Sequence, residues 1–429
     1  MPSANAPAAD GEKTINSRGA SGVGLASIVA AGSSLVIMII AGNSLSGPDF
    51  AAFSVFWGAL FGTFGTLSGI QQETTRAVRT GVEHSSGVGS RRARVLPNAI
   101  VTGGLIALVG CISSPLWAPR ILGTAWLPLI LVMAAAAVSY SGHAALAGAS
   151  AGYQRWGLYS LLMGAESFVR LLLIAGLALI GAGLFGLEAG AAAAAVVWLG
   201  FIALSGQARR AAAARADVDR ARLWQTTGHA ILSALSTAVL IVGFPVLLGA
   251  TSSSAEIASA GGLLLAIQLT RAPIMVPLQA FQGVAVSAFV AHRSRGVAAL
   301  VKPLAFCAAT GAVGAVAAGL LGPWIMSVLF PGRFDVGPYL LAALTFDAAL
   351  MAAVTLSGTA TLALGRHRIY STGWVTATVV AVGLLLCPLP LGVRCSLALG
   401  LGPLAGVVVH LLGITAASHE ASPTTGGKA

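Results

Sequence analysis

Residues 261–290 read GGLLLAIQLTRAPIMVPLQAFQGVAVSAFV. The run is apolar and long enough to cross a bilayer, for which about 20 residues suffice. It nevertheless carries Arg271 near its middle, with Pro273 and Pro277 just after. A guanidinium at membrane depth costs from about 3 kcal/mol on insertion scales to more than ~10 kcal/mol in simulations. Such a residue faces a bundle interior or a wet cavity rather than lipid. The prolines remove backbone donors and let the helix tilt or kink. The rest of the chain is expected to form a container for that charge and a few others like it.

The composition agrees. Of 429 residues, 56% are hydrophobic and only 9% charged. Soluble domains carry about 25% charge, so the deficit by itself implies a polytopic membrane protein. The 54 glycines suit closely packed transmembrane helices. A net charge of +11 would suggest nucleic acid in a soluble protein. Here it reads as loop arginines facing the anionic inner leaflet, with membrane lipids as partners and no nucleic acid.

Twelve spans of roughly 20 apolar residues can be marked by length and by charged or Pro/Gly breaks. They lie near 22–42, 50–70, 98–117, 125–147, 158–181, 184–206, 227–249, 257–290, 300–321, 338–364, 371–389 and 395–416. The fifth and sixth are divided at Gly181-Ala182-Gly183. With the N-terminus in the cytoplasm and the spans alternating, 19 of the 24 Lys and Arg residues fall on the cytoplasmic side. Only Arg120, Arg333 and Arg394 are external, and Arg170 and Arg271 lie inside spans. That asymmetry orients the chain with both ends inside. An odd number of missed spans would scramble it.

The polar first 20 residues and the segment 417–429 read as disordered cytoplasmic tails, with no cleavable signal peptide. Residues 209–225, RRAAAARADVDRARLWQ, form a polar linker between six spans (21–208) and six more (226–416). Its Ala/Arg pattern fits an amphipathic helix on the inner leaflet or a solvated linker helix. Both halves share a rhythm in which a long second span ends in Gln and basic residues: Gln71, Gln72 and Arg76, then Gln279, Gln282 and Arg293. Two repeated lobes are the expectation.

NSLSGPDFAAFSVFWGALFGTFGTLSGIQQETTRAVR at 43–79 places Phe50, Phe53, Phe56, Gly69, Gln71, Gln72 and Arg76 in a pattern worth comparing. It resembles the start of polysaccharide flippases in the MATE-like multidrug/oligosaccharidyl-lipid/polysaccharide (MOP) superfamily. LAGASAGYQRWGLYSLLMGAESFVRLLLIAGL resembles their fourth-to-fifth span connection, through Gly148, Gly152, Gln154, Arg155 and Arg170. WIMSVLFPGRF and LALGRHRIY resemble their connections after spans nine and ten. The resemblance implies an all-α fold of two six-helix lobes around a central cavity that alternates between membrane faces. It implies a lipid-linked glycan as cargo, with glycosyltransferases or a polymerase of the same pathway as partners. The first span carries no charge, a departure from many members.

Candidate cavity residues follow from buried charge. Arg271 offers a fork for two phosphate oxygens of a diphosphate; the alternative is a packing role beside a buried acid. Glu166 and Arg170 are four apart, so they stack on one helix face as a self-neutralised pair or as a charged wall touching cargo. Asp347 is expected to pair with Arg271, or else to serve as a protonation or coupling-cation site. Glu188 reads as interfacial. Arg76 and Arg79 belong to a basic loop at the inner gate, which topology alone also explains.

No metal site, cofactor site or Walker A motif is present in the sequence pattern. Gly148-Ala149-Ser150-Ala151-Gly152 matches the GxSxG pattern of hydrolases, but on an apolar helix, where it reads as chance. Cys387 and Cys395 flank one short loop and stand as either a disulfide or two small buried residues. Three functions remain in view. The leading one is a flippase or exporter of a lipid-linked oligosaccharide in the bacterial cytoplasmic membrane. A multidrug or small-metabolite exporter of the same fold would want an acidic cavity. A membrane-embedded glycan polymerase or ligase would want a large external loop, which the chain lacks, so no enzyme is expected.

Overall fold

The computed structural model describes residues 17–83, 92–291 and 297–420. Arg91, Arg293, Arg295, Lys13 and Lys428 lie outside the described residues, as do the side chains of Gln279 and Gln282. Most of both tails lies outside as well, although Ser17–Ala20 and Ala417–Glu420 continue helices.

The first half contains α1 (Ser17–Ser44), α2 (Gly47–Glu83), α3 (Val95–Leu122), α4 (Trp126–Gly152), α5 (Trp156–Leu179), α6 (Gly183–Ala193), α7 (Val197–Leu204) and α8 (Gly206–Ala212). The second contains α9 (Arg220–Ile241), α10 (Phe244–Thr251), α11 (Ser254–Ser259), α12 (Gly261–Ala291), α13 (Ala298–Leu329), α14 (Pro338–Ala363), α15 (His367–Leu385) and α16 (Leu391–Glu420). Among the described residues, nine segments are long and apolar enough to cross a membrane, and the bent pair α9–α10 makes a tenth. One of the nine, Val95–Gly152, holds two passes, α3 and α4. The 31-residue α12 adds another. Among the described residues the architecture is all-α and agrees with the twelve passes expected from the sequence.

The break between passes five and six falls at the expected glycines. Gly181 and Gly183 have φ of 67° and 68°, a left-handed conformation that costs a side-chain-bearing residue but not glycine. Within the first half, α1 packs on α5, and α4 packs on α2 and α3. Within the second, α14 packs on α12, α13 and α16, while α15 lies on α16. The halves meet where α2 runs along α9 and α10, and where α1 and α2 meet α12.

Glycine makes the α2–α9 contact possible. Gly58, Gly62, Gly65 and Gly69 recur at four, three and four residues, which is one face of a helix. A Cβ on Gly69 would stand 2.5 Å from the Ile231 amide nitrogen, and one on Gly65 would stand 2.9 Å from Ala238 Cβ. Close backbone approach of this kind is how membrane helices associate without a hydrophobic driving force. Gly69→Ala is expected to destabilise the protein by about 1–3 kcal/mol, the usual cost of overpacking. Gly104→Ala, with nothing within 4 Å, should be neutral or stabilise by up to about 1 kcal/mol. Thermal unfolding of both variants in detergent checks the pair; equal melting points would contradict the close contact.

The linker differs from expectation. Residues 209–212 end α8 and residues 220–225 begin α9, while residues 213–219 between them are not helical and pair with 93–95. The Ala93 amide donates to Val218, Val95 to Ala214, and Ala216 to Ala93, with an antiparallel bridge between Arg94 and Arg215. Ala208, Ala211, Ala214 and Ala216 are buried, so the alanines pack on protein rather than on a leaflet. Asp219 then caps α9 by accepting from the Arg222 amide, which explains where that helix begins.

At the opposite end, the α1–α2 turn is tied to the α13–α14 turn. Asn43 Nδ2 donates to the Leu329 carbonyl at 3.0 Å, and Arg333 Nη1 to the Leu45 carbonyl at 2.9 Å. The Phe50 and Phe334 rings sit 5.4 Å apart beneath them. Nearby, the Ser253 amide and hydroxyl hold the Glu256 carboxyl below the usual carboxylate range. Arg394, expected in an external loop, lies in α16 and pairs with Glu256 at 2.6 Å. Cys387 and Cys395 are both free, so the disulfide reading is set aside.

Candidate functional site

A cavity of about 230 Å³ lies between the halves. Its walls come from α1 (Ala31, Ser34, Leu35, Met38), α2 (Trp57, Phe61), the α9–α10 junction (Ile241, Val242, Pro245), α12 and Met351 of α14. The α12 face supplies Leu264, Ile267, Gln268, Arg271, Ala272 and Met275. Residues 264, 267, 268, 271, 272 and 275 share one helical face, which is why a single helix can line so much of it. Arg271 is the one charged side chain lining the cavity among the described residues. The wall around it is aromatic and thioether-rich.

The aromatic wall grows out of the α2 phenylalanine pattern. Phe50, Phe53, Trp57, Phe61 and Phe64 recur at three or four residues, so their rings form a column. Trp57 and Phe61 stack at 4.3 Å, Phe64 and Tyr140 at 4.1 Å, and Tyr140 and His143 at 5.5 Å. Rigid rings of this kind present a large surface at little conformational cost.

Arg271 does not meet an acid. Its Nη1 donates to the Ile241 carbonyl at 2.9 Å, and its Cζ lies 5.8 Å from the Phe244 ring centroid. Asp347 instead accepts from Ser396 on α16 at 2.7 Å and packs against Gly400, where a Cβ would stand 2.6 Å from its Oδ1. The expected Arg271–Asp347 pair is therefore corrected. The acid is drawn into the α14–α16 contact, and the cation to a carbonyl that no helix bond claims.

Glu166 and Arg170 do form the expected ion pair, but inside the first half rather than on the cavity wall. Arg170 also donates from Nε to the Ala191 carbonyl at 2.9 Å and lies 4.8 Å from the Phe61 ring centroid. Phe61 thus stands between Arg170 and the cavity. The α5–α6 contact tolerates the pair because Arg170 satisfies an α6 carbonyl as well as its partner. Glu188, expected at the interface, is 2% exposed on the α6 face that packs against α2 and α4. Of the four residues expected to line the cavity, the geometry places only Arg271 there.

The basic inner residues are neutralised. Arg76 pairs with Glu73 at 2.7 Å and with Asp217 of the extended linker at 2.9 Å, while Arg79 pairs with Glu83. Ser150 of the GxSxG match is buried in α4 and donates to the Leu146 carbonyl at 2.7 Å. Such a hydroxyl bonds back to the carbonyl one turn earlier in its own helix. No group of three metal-ligating side chains comes together among the described residues.

Sequence reading missed Trp57, Phe61, Gln268 and the α9–α10 junction. The signals were there: the aromatic spacing on α2, and Gly243 and Pro245 inside a span read as one helix.

No family model matches the chain. It is 39% identical over 419 residues to the uncharacterised protein Rv3630 of Mycobacterium tuberculosis (strain ATCC 25618 / H37Rv), covering 94% of this chain and 96% of the relative. It is also 39% identical over 390 residues to Rv1510 of the same strain, covering 91% and 90%. Among solved structures it resembles an inward-facing multidrug resistance MATE family transporter of the MOP superfamily (TM-score 0.69, 14% identity, 92% and 100% of the two chains). It resembles the lipid II flippase MurJ in an inward closed conformation (TM-score 0.65, 12%, 91% and 87%). A third is a Pyrococcus furiosus MOP superfamily transporter described by a binding pocket of reverse polarity (TM-score 0.61, 13%, 94% and 96%). The chain belongs to one family with these mycobacterial proteins, and its fold is that of the MOP superfamily transporters.

Proposed function

We propose that the protein is a flippase or exporter that moves an anionic lipid-linked saccharide precursor across the bacterial cytoplasmic membrane. The observation that carries this reading is the polarity of the cavity. Its charged lining among the described residues is one arginine, with no carboxylate in the wall and Asp347 acting on it only through space. A guanidinium in a low-dielectric chamber favours an anion, and its fork matches phosphate oxygens. A cationic drug would meet repulsion there.

In this reading Arg271 contacts the diphosphate, Gln268 one turn earlier hydrogen-bonds the adjoining sugar, and Trp57 and Phe61 stack on it. Arg170 adds positive potential from behind Phe61. The arginine asymmetry supports cytoplasmic termini, and with that orientation the α1–α2 and α13–α14 turns close the external face. Rocking of the halves exposes the cargo in turn, driven by a coupling cation, the membrane potential or consumption of the product. Glycosyltransferases or a polymerase of the same pathway would be functional partners.

The apolar, methionine-bearing wall favours one competing reading, a multidrug exporter, because Met38, Met275 and Met351 adapt to varied shapes. Proteoliposomes separate the two. Purified protein should translocate an undecaprenyl-diphosphate-linked saccharide and leave a cationic dye where it is. Dye efflux with no lipid translocation would replace the first reading with the second.

A further inference from the structure

The pass formed by α9 and α10 is not a continuous helix. The two segments meet at 68° around Val242 and Gly243, at the cavity wall. The break is written in the sequence. The amides of Val242 and Gly243 both donate to Ala238, which ends α9, and α10 restarts when Val246 and Leu247 donate to the Gly243 carbonyl. Gly243 must be glycine here, since a Cβ would stand 2.7 Å from the Val239 carbonyl oxygen. Residue 245 is proline, so the donor that would normally serve the Ile241 carbonyl, four residues back, does not exist.

That orphaned carbonyl is the one Arg271 holds, at 2.9 Å. A cation at a helix C-terminus also meets the negative end of the helix dipole. The second guanidinium nitrogen, Nη2, is buried with no hydrogen-bond partner. Behind the break lies the glycine face of α2: Gly58 faces Pro245, and Gly62 faces Gly243. A change in bend at Gly243 therefore moves α9–α10 over a smooth track belonging to the other half of the molecule.

We propose that the α9–α10 break is a cargo sensor, in which the Ile241 carbonyl and the anionic group of the cargo compete for the Arg271 guanidinium. The inference rests on the anionic-cargo reading above and says how binding is passed to the halves. Both acceptors would take a charged donor, but the phosphate oxygens carry full negative charge and the carbonyl only a dipole, so in a low-dielectric chamber a bound diphosphate attracts the guanidinium more strongly than the Ile241 carbonyl does. The Ile241 carbonyl then has no local donor, because Pro245 supplies none, and the bend relaxes. A ligand shifts such an equilibrium only through its differential affinity for the two states, and the shared guanidinium provides that difference.

The test uses spin labels at Leu232→Cys in α9 and Ala250→Cys in α10, both exposed positions, with the four native cysteines replaced by alanine. The full chain is placed in lipid nanodiscs, and binding is measured on the same samples. Undecaprenyl diphosphate should shift the inter-label distance distribution towards longer values. Undecaprenol, with the same tail and no charge, should not, and Arg271→Gln should abolish the shift. Inorganic diphosphate is a third arm. An equal shift there supports the sensor and assigns it to free diphosphate, while no shift supports a lipid-borne headgroup as the trigger. If undecaprenyl diphosphate binds and the distribution stays where it was, the sensor is wrong and the cargo reading survives. If it does not bind at all, both fall.

Discussion

Glu166→Gln is expected to lower stability by about 3–5 kcal/mol, the cost of leaving a buried charge without its partner. Glu166 and Arg170 are 5% and 3% exposed, so water cannot replace the lost carboxylate. Arg170 would keep its bond to the Ala191 carbonyl and its place over Phe61, but neither neutralises it. At about 2–4 °C per kcal/mol for a unit of roughly 200 residues, the melting point should fall by roughly 6–20 °C. Replacing both partners by residues of similar shape, Glu166→Leu with Arg170→Met, should recover most of the loss, since buried pairs add little over well-packed apolar groups. Melting in detergent, followed by the fraction of monodisperse protein, measures both. A single variant that melts within about 2 °C of the parent would show that the pair does not hold the first half together.

Arg271→Ala should abolish transport while leaving the protein inserted and folded. The side chain contributes one hydrogen bond to a carbonyl and a face to a cavity, so its removal orphans the Ile241 carbonyl at a cost of about 1–3 kcal/mol, which leaves the fold intact. A charge-assisted bond contributes about 1.5–3 kcal/mol, which is roughly a 10–150-fold loss of affinity for an anionic headgroup. Arg271→Lys keeps the charge but not the fork, and should fall between the two. The readout is translocation of an undecaprenyl-diphosphate-linked saccharide in proteoliposomes, beside melting of the same preparations. Undiminished translocation by a folded Arg271→Ala protein would remove the cavity role.

Much of this site was legible before any coordinates. A single arginine inside residues 261–290 has few physical homes, and the cavity wall is one of them. The i,i+4 spacing of Glu166 and Arg170 by itself brings them together, because helix geometry sets it. The turn at Gly181 to Gly183 was legible for the same local reason. Asp347 was not. Whether it meets Arg271 or Ser396 depends on how α14 lies between α12 and α16, and on a carbonyl at 241 that is free only because the helix breaks. The middle of the 209–225 linker, residues 213–219, was not legible, because an Ala/Arg pattern suits a surface helix as well as a non-helical clip. Only its contact with Ala93 and Val95 decides between them.

The chain's own pattern determined the number of passes, the bias of positive charge and the burial of Glu166, Arg170 and Asp347, though not that of Glu188 or Arg394. These follow from the cost of moving polar groups into hydrocarbon, a cost each residue meets wherever its helix goes. The tertiary arrangement alone decided which partner each buried ion takes and which side chains face the cavity. Those outcomes depend on helices far apart in sequence becoming neighbours, and no local preference carries that information.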